Sequence, residues 1–263
     1  MSYLMESCDE IERLERKTGF KAVKQQALWA GLKEGMRIAD IGCGSGKTSS
    51  FLKNLTGPEG EVVGIDLSRE RLEYARQTYG VEGLSFEERD IYGSLEDLGQ
   101  FDFIWVRFLL EYHREKQFEL VKRISELLAP RGILCLIDLD HNSMNHYGLT
   151  ARLERALSKS MDSLIKHSDF DPYAGRKLYS HMYDLNFKEL DVYVGAHHLI
   201  FGALTEEDGY NWFKKVSVGL ANSNYSFHEY PGGFDEFEKE CNIFFSDPRR
   251  FTYTPLICCK GVK

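Results

Sequence analysis

The sequence predicts a doubly wound α/β fold: a mainly parallel seven-stranded sheet with helices on both faces and a helical cap. Three observations predict it. Short, continuously apolar runs alternate with segments of helical spacing, a glycine-rich turn joins the first run to the first helix, and aspartates stand at the ends of the first three runs. Continuous apolar runs suit strands buried on both faces, and their alternation with helices makes them parallel. In such sheets ligands sit beyond the carboxyl ends of the strands.

Apolar residues recur at helical spacing from Ile11 to Leu32, interrupted by Gly19, which predicts a helical cap over residues 1–34. MRIADIG then reads as the first strand, and TSSFLKNL as a helix ending at Gly57-Pro58. EVVGID is the second strand, with Ser68 as N-cap of the helix RERLEYARQTYG that Gly80 stops. LSFEERD is a third strand ending in Asp90, FDFIWVR a fourth, and ILCLIDLD a fifth after a helix from Glu115 to Leu128. The ligand-binding core is thus residues 35–140.

The rhythm changes after His141. A long amphipathic helix, GLTARLERALSKSMDSLIKH, predicts a helical lid insertion over residues 141–176. Residues 177–263 return to the α/β domain, with a sixth strand, ELDVYVGAHHLIF, and helices near Glu206 to Ala221 and Phe234 to Phe244. The last strand, RFTYTPLICCK, contains Pro255 and is expected at an edge.

Composition narrows the function. The 263 residues are 43% hydrophobic and 28% charged, enough for a sizeable core, and the formal net charge of -8 opposes binding to nucleic-acid phosphates. No apolar run is long enough for a membrane span, and the charged N-terminus lacks the apolar core of a signal peptide, so a cytoplasmic location is expected. The six cysteines have no CxxC spacing and are expected to be reduced. Monomer and homodimer both remain open.

The loop Asp40 to Gly46, AspIleGlyCysGlySerGly, carries the chemistry. Its glycines permit a sharp turn and close approach of backbone to a ligand. The dinucleotide fingerprint needs glycine where Lys47 stands, and the phosphate loop needs one where Ile41 stands, so both fail by spacing. On this reading Lys47 points from a helix surface. Asp66, at the end of the second strand, is placed to accept hydrogen bonds from ribose hydroxyls. With Asp40 and Asp90 it makes three carboxylates, which repel a pyrophosphate but suit a cationic, phosphate-free nucleoside.

These motifs resemble the class I S-adenosylmethionine-dependent methyltransferases from about Met36 to Asp138. RIADIGCGSG is similar to the family's glycine motif, VVGIDLS and ERDIYG to its second and third strand ends, and FDFIWVRFLLEYH to its fourth. The resemblance implies S-adenosylmethionine as methyl donor and S-adenosylhomocysteine as product. It puts Gly42, Gly44 and Gly46, with Cys43 and Ser45, at the methionine part, whose ammonium Asp40, standing just before the glycines, is placed to face. Asp66 goes to the ribose, Leu67 and Ile91 flank the adenine, and Asp90 lies near its amine. Arg107 and Phe108 line the methionine end, and Tyr3 belongs to an N-terminal lid.

The donor's sulfonium is already electrophilic, so a base is needed only where the acceptor must lose a proton. His141, directly after the fifth strand, is the first candidate and His113 the second. His197 and His198, adjacent in a strand, are expected on opposite faces, and no histidine spacing indicates a metal site. Tyr173, Tyr179, Tyr183, Tyr210, Trp212 and Phe213 suggest core packing and, as a minority reading, an apolar pocket for an aromatic or lipophilic acceptor. The expected partner is therefore a small molecule, moved by in-line methyl transfer to O, N or C. The alternatives are a non-catalytic donor-binding module and a protein methyltransferase.

Overall fold

Strand β1 (Arg37–Ile41) is the centre from which the sheet grows, in a computed structural model that describes residues 9–263. It pairs in parallel with β2 (Glu61–Asp66) on one side and β4 (Phe101–Arg107) on the other. β3 (Leu84–Glu88) continues beyond β2, and β5 (Leu128–Leu139) beyond β4, both parallel. The order reverses between β1 and β4, which opens a crevice at the carboxyl ends of these strands.

Local chemistry sets the elements. α1 (Glu10–Lys17) and α2 (Phe20–Ala30) are separated at Gly19, and Gly31 ends α2 with a left-handed φ of 103°. α3 (Lys47–Thr56) starts directly after the glycine loop. Ser68 caps α4 (Arg69–Tyr79) by accepting from the Arg71 amide at 3.4 Å, and Thr150 caps α6 (Ala151–His167) by accepting from Leu153 at 3.1 Å. The fifth helix, α5 (Gln117–Glu126), is shorter than the sequence suggests. The chain enters β5 at Leu128, before Pro130, because the irregular pairing between Phe101 and Phe103 of β4 absorbs the proline.

Beyond β5 lie a two-residue strand β6 (His146–Tyr147), α6, α7 (Leu178–Asp184), β7 (Lys188–Phe201), α8 (Glu206–Lys214), α9 (Gly233–Ser246) and β8 (Phe251–Val262). The described residues therefore hold eight strands, one more than the seven expected, the extra one being β6. β8 runs antiparallel to β5 and to β7. It is an interior strand, which corrects the expectation of an edge. Pro255 is accommodated because it faces Ala196 at a register shift in β7, where the ladder is already interrupted.

Three apolar clusters result. One face of the sheet packs α2, α3 and α4 through Val23, Ala27, Leu52 and Leu72, and the other packs α5 and α7 through Leu120, Ile124, Leu178 and Met182. The third cluster lies outside the sheet layers. In it α6 joins α8, α9 and a π-helical segment (Lys215–Leu220) around Phe237, Trp212 and Leu164. Segment 141–176 thus shares a core with helices drawn from 177–263. No helix among the described residues is long and apolar enough to cross a membrane.

Candidate functional site

The glycine loop is fixed from two sides. The amides of Gly42 and Cys43 both donate to the Ile65 carbonyl of β2, at 2.8 and 3.0 Å, and the Gly44 amide donates to Asp66 Oδ2 at 2.9 Å. Gly42, Gly44 and Gly46 all have positive φ, which favours glycine. Gly46 answers to packing as well, since a Cβ there would lie 2.6 Å from the Ala75 Cβ. Helix α1 covers the loop: a Cβ on Gly44 would lie 2.9 Å from Leu14, and Glu15 accepts from Ser45 at 2.7 Å and from Tyr79 at 2.5 Å. Lys47 bonds the Glu15 backbone carbonyl instead of pointing from a helix surface, because α1 lies within its reach.

Three charged groups gather at the strand ends. Asp40 in β1 is buried and accepts from Ser49 at 2.6 Å; burial, reinforced by the charge of Asp66, raises its pKa to about 7 against the lowering effect of the Ser49 bond. Asp66 ends β2 and also accepts from the Ser68 amide at 2.9 Å and from Arg71 at 3.1 Å. Arg107 ends β4 with its guanidinium 4.1 Å above the Phe108 ring, and its Nε is buried with no hydrogen-bond partner. Desolvation pulls its pKa down to about 10, so it keeps its charge at neutral pH. A guanidinium with a partnerless Nε, beside a buried acid, can receive a carboxylate and an ammonium together.

The other expected donor residues lie nearby in sequence but are placed differently. Asp90 does not end β3, which stops at Glu88. It is exposed two residues later, where it accepts from the Tyr92 amide at 2.9 Å, because this aspartate side chain turns the backbone there. Leu67 is 65% exposed and free to cover a flat ring, and Ile91 packs partly against the core. Cys43 is buried, and desolvation holds its thiol protonated. Phe108 has a φ of 58°. Tyr3 lies outside the described residues.

A second feature lies between the sheet and the third cluster. It is a cavity with about 770 Å³ of empty space counted out through its mouth. Its apolar wall includes Met161, Leu164, Phe170, Trp212 and Val216. Its polar wall is Arg13, Glu111, Asn142, Ser143, His146 and Lys215. Asn142 links two of these, donating from Nδ2 to Glu111 at 2.7 Å and accepting at Oδ1 from Lys215 at 3.1 Å. Behind Glu111, buried Asp138 accepts from the Glu111 and Leu139 amides at 3.1 and 2.8 Å. Burial, and then the charge of Glu111, raise its pKa well above the usual carboxylate range.

His141 does not line this cavity. It sits one residue before Asn142 with a φ of 46°, its ring edge-on to Tyr173 at 5.1 Å between centroids. His113 bonds the Tyr92 hydroxyl at 2.9 Å, and burial lowers its pKa. His146 is held by Thr252 and by the Ser143 carbonyl, and burial lowers its pKa to about 4, so it is neutral. His197 and His198 do not point apart. Their ring centroids are 4.3 Å apart, because the bulge between Ala196 and His198 breaks the strand's alternation.

Of the six aromatic residues expected to pack or to form a pocket, only Trp212 lines the cavity, and Tyr179 and Tyr183 lie on the surface. Glu111 and Lys215 escaped the sequence reading. Their signal was faint: a lone acid in LLEYH, and a lysine after the aromatic helix YNWFKK. No cluster of metal-ligating side chains occurs among the described residues.

Comparison with known proteins agrees with this architecture. Over a stretch of 132 residues the chain is 30% identical to juvenile hormone acid O-methyltransferase of Bombyx mori, covering 49% of this chain and 47% of that protein. It is 29% identical over 105 residues to protein-L-isoaspartate O-methyltransferase of Thermotoga maritima, covering 39% of this chain and 33% of the other. The chain thus spans less than half the length of either relative. Its fold is like that of Haemonchus contortus phosphoethanolamine N-methyltransferase 2, with a TM-score of 0.60 and 14% identity over 100% of this chain and 60% of that one. Residues 32–214, most of the chain, match the methyltransferase domain family. A glycine loop tied to an acid at the end of β2, in a sheet of this order, is what that match leads one to expect, and the chain belongs to the class I S-adenosylmethionine-dependent methyltransferases.

Proposed function

We propose that this protein transfers a methyl group from S-adenosylmethionine to an oxygen, nitrogen or carbon of a small-molecule acceptor. The observation that carries the reading is the placement of Asp40 and the partnerless Arg107 Nε at neighbouring strand ends. The methionine part of the donor carries one ammonium and one carboxylate, and these two side chains match them in charge. Asp66 stands where ribose hydroxyls would be held, Leu67 and Ile91 where an adenine ring would lie, and exposed Asp90 near its amine. The loop Gly42, Cys43, Gly44, Ser45 and Gly46 brings backbone to the methionine chain, and Phe108 borders it. Tyr3 belongs to the same proposal as part of the lid.

Bound donor supplies a methyl group on positively charged sulfur, which a lone pair can take as the carbon–sulfur bond breaks toward sulfur. This chain's part is to align and to exclude water. Helix α1 does both: Glu15 holds it on the glycine loop, while Asp9, just before it, bonds Lys214 of α8 at 2.6 Å. Arg13, between those anchors, lines the cavity, so one helix borders both compartments. His141 is the proposed base where an acceptor proton must leave. The mostly apolar lining of the cavity supports a small aromatic or lipophilic acceptor over a protein side chain.

The test is incubation with methyl-labelled donor and separate small-molecule and protein fractions. Label in small molecules is expected. Label only in protein overturns the acceptor class, and bound donor without any labelled product favours a binding module. Unchanged turnover by His141→Ala removes that histidine from the mechanism.

A further inference from the structure

Among the described residues Lys215 is a cation with no carboxylate in ion-pair contact. Its ammonium lies largely enclosed between the π-helical segment and the turn after β5 and lines the cavity. Its hydrogen bonds go only to neutral oxygens, Asn142 Oδ1 at 3.1 Å and Ser143 Oγ at 3.4 Å, and no carboxylate lies within 4 Å of it among the described residues. The Trp212 ring, 5.0 Å from Nζ, completes its surroundings. A buried ammonium normally closes onto a carboxylate, because its desolvation is otherwise uncompensated. Here the nearest acid is kept away. The Asn142 amide stands between Lys215 and Glu111, donating to one and accepting from the other. The two charges therefore face the same cavity without neutralising each other.

The other charged wall residue, Arg13, is already paired with Glu10 at 2.6 Å, and His146 is neutral. An ammonium has three donors, and Lys215 uses two of them. The same cavity is lined by the apolar side chains of Met161, Leu164 and Phe170.

We infer that the methyl acceptor is an amphipathic monocarboxylate, whose carboxylate pairs with Lys215 beside Asn142 and whose apolar body lies along α6. Lys215 supplies one positive charge and one unused donor, which match a monoanion, whereas a phosphate dianion would carry a second charge left unpaired in a cavity that Glu111 also lines. This inference rests on the methyltransferase reading for the word acceptor, but the anion site is defined by the cavity alone.

The test is calorimetric titration of the whole protein, saturated with S-adenosylhomocysteine, with octanoate, 1-octanol, octylamine and octyl phosphate. Octanoate is expected to bind at least about tenfold tighter than the alcohol, consistent with one charge-assisted contact, and tighter than the amine or the phosphate. Lys215→Met, which keeps most of the side chain's length and removes its charge, is expected to bring octanoate down to the affinity of the alcohol while S-adenosylhomocysteine binds unchanged. Equal binding of acid and alcohol, a preference for amine or phosphate, or a preference for octanoate that survives Lys215→Met overturns the inference. If the variant fails to fold, the four-ligand comparison on the unaltered protein decides alone. Failure of the protein to bind S-adenosylhomocysteine sinks the methyltransferase reading separately, since the octanoate comparison can be repeated without it.

Discussion

Asp40 is where burial bears most directly on the proposed donor site. Its carboxyl carries a raised pKa of about 7, because it sits in β1 away from water with Asp66 beside it. Below that pH it is mostly protonated and offers nothing to a cation; above it the carboxylate is formed. Affinity for the donor's ammonium should therefore rise with pH from 6 to 8, approaching about tenfold per unit on the acid side, the limit for one linked proton. Titration of S-adenosylhomocysteine across that range checks it, and Asp40→Asn should flatten the curve. A wild-type affinity that falls as pH rises would rule out this role. Residues of this kind were readable from the chain because their positions are set by short spacings: the loop from Asp40 to Gly46, and Asp66 at the end of its strand. Asp90 was misplaced by two residues, since the turn it caps depends on its own side-chain bond to Tyr92.

At the scale of elements, the regular strands and helices followed from apolar period and capping signals, and departures came where tertiary contacts override them. Pro255 implied an edge strand, yet β8 is interior because the bulge in β7 faces the proline. The same bulge brings His197 against His198, which alternation alone would separate. Helix α1 is the element with most at stake for the site. Its Glu15 accepts from Ser45 in the glycine loop and from Tyr79 in α4, two contacts of the kind worth about 1 kcal/mol each. Glu15→Ala should speed hydrogen exchange of the α1 amides by about tenfold or more while exchange in β1 and β4 stays unchanged. Equal exchange in α1 would show that the helix is held by its other contacts, such as the Lys47 and Lys214 bonds and the packing of Leu14, without need of the Glu15 carboxylate.

For the molecule as a whole, the sheet order and the third cluster divide the labour. The first five strands, continuous in apolar character, declare their parallel sheet openly, and the donor loop follows from it. The cavity proposed for the acceptor was not legible. It forms where Glu111 and Asn142, in the turns that follow β4 and β5, meet Lys215, 73 residues beyond Asn142, and no local pattern reports such a meeting. What unites the halves is the claim that the crevice at β1, β2 and β4 holds S-adenosylmethionine through Asp66. Titration of S-adenosylhomocysteine into wild type and Asp66→Ala tests this most directly. The account predicts one site per chain in the wild type and an affinity at least about tenfold lower in the variant, or about 1.4 kcal/mol, from loss of charge-assisted hydrogen bonds. Absent binding, or the same affinity in a folded Asp66→Ala, would contradict it.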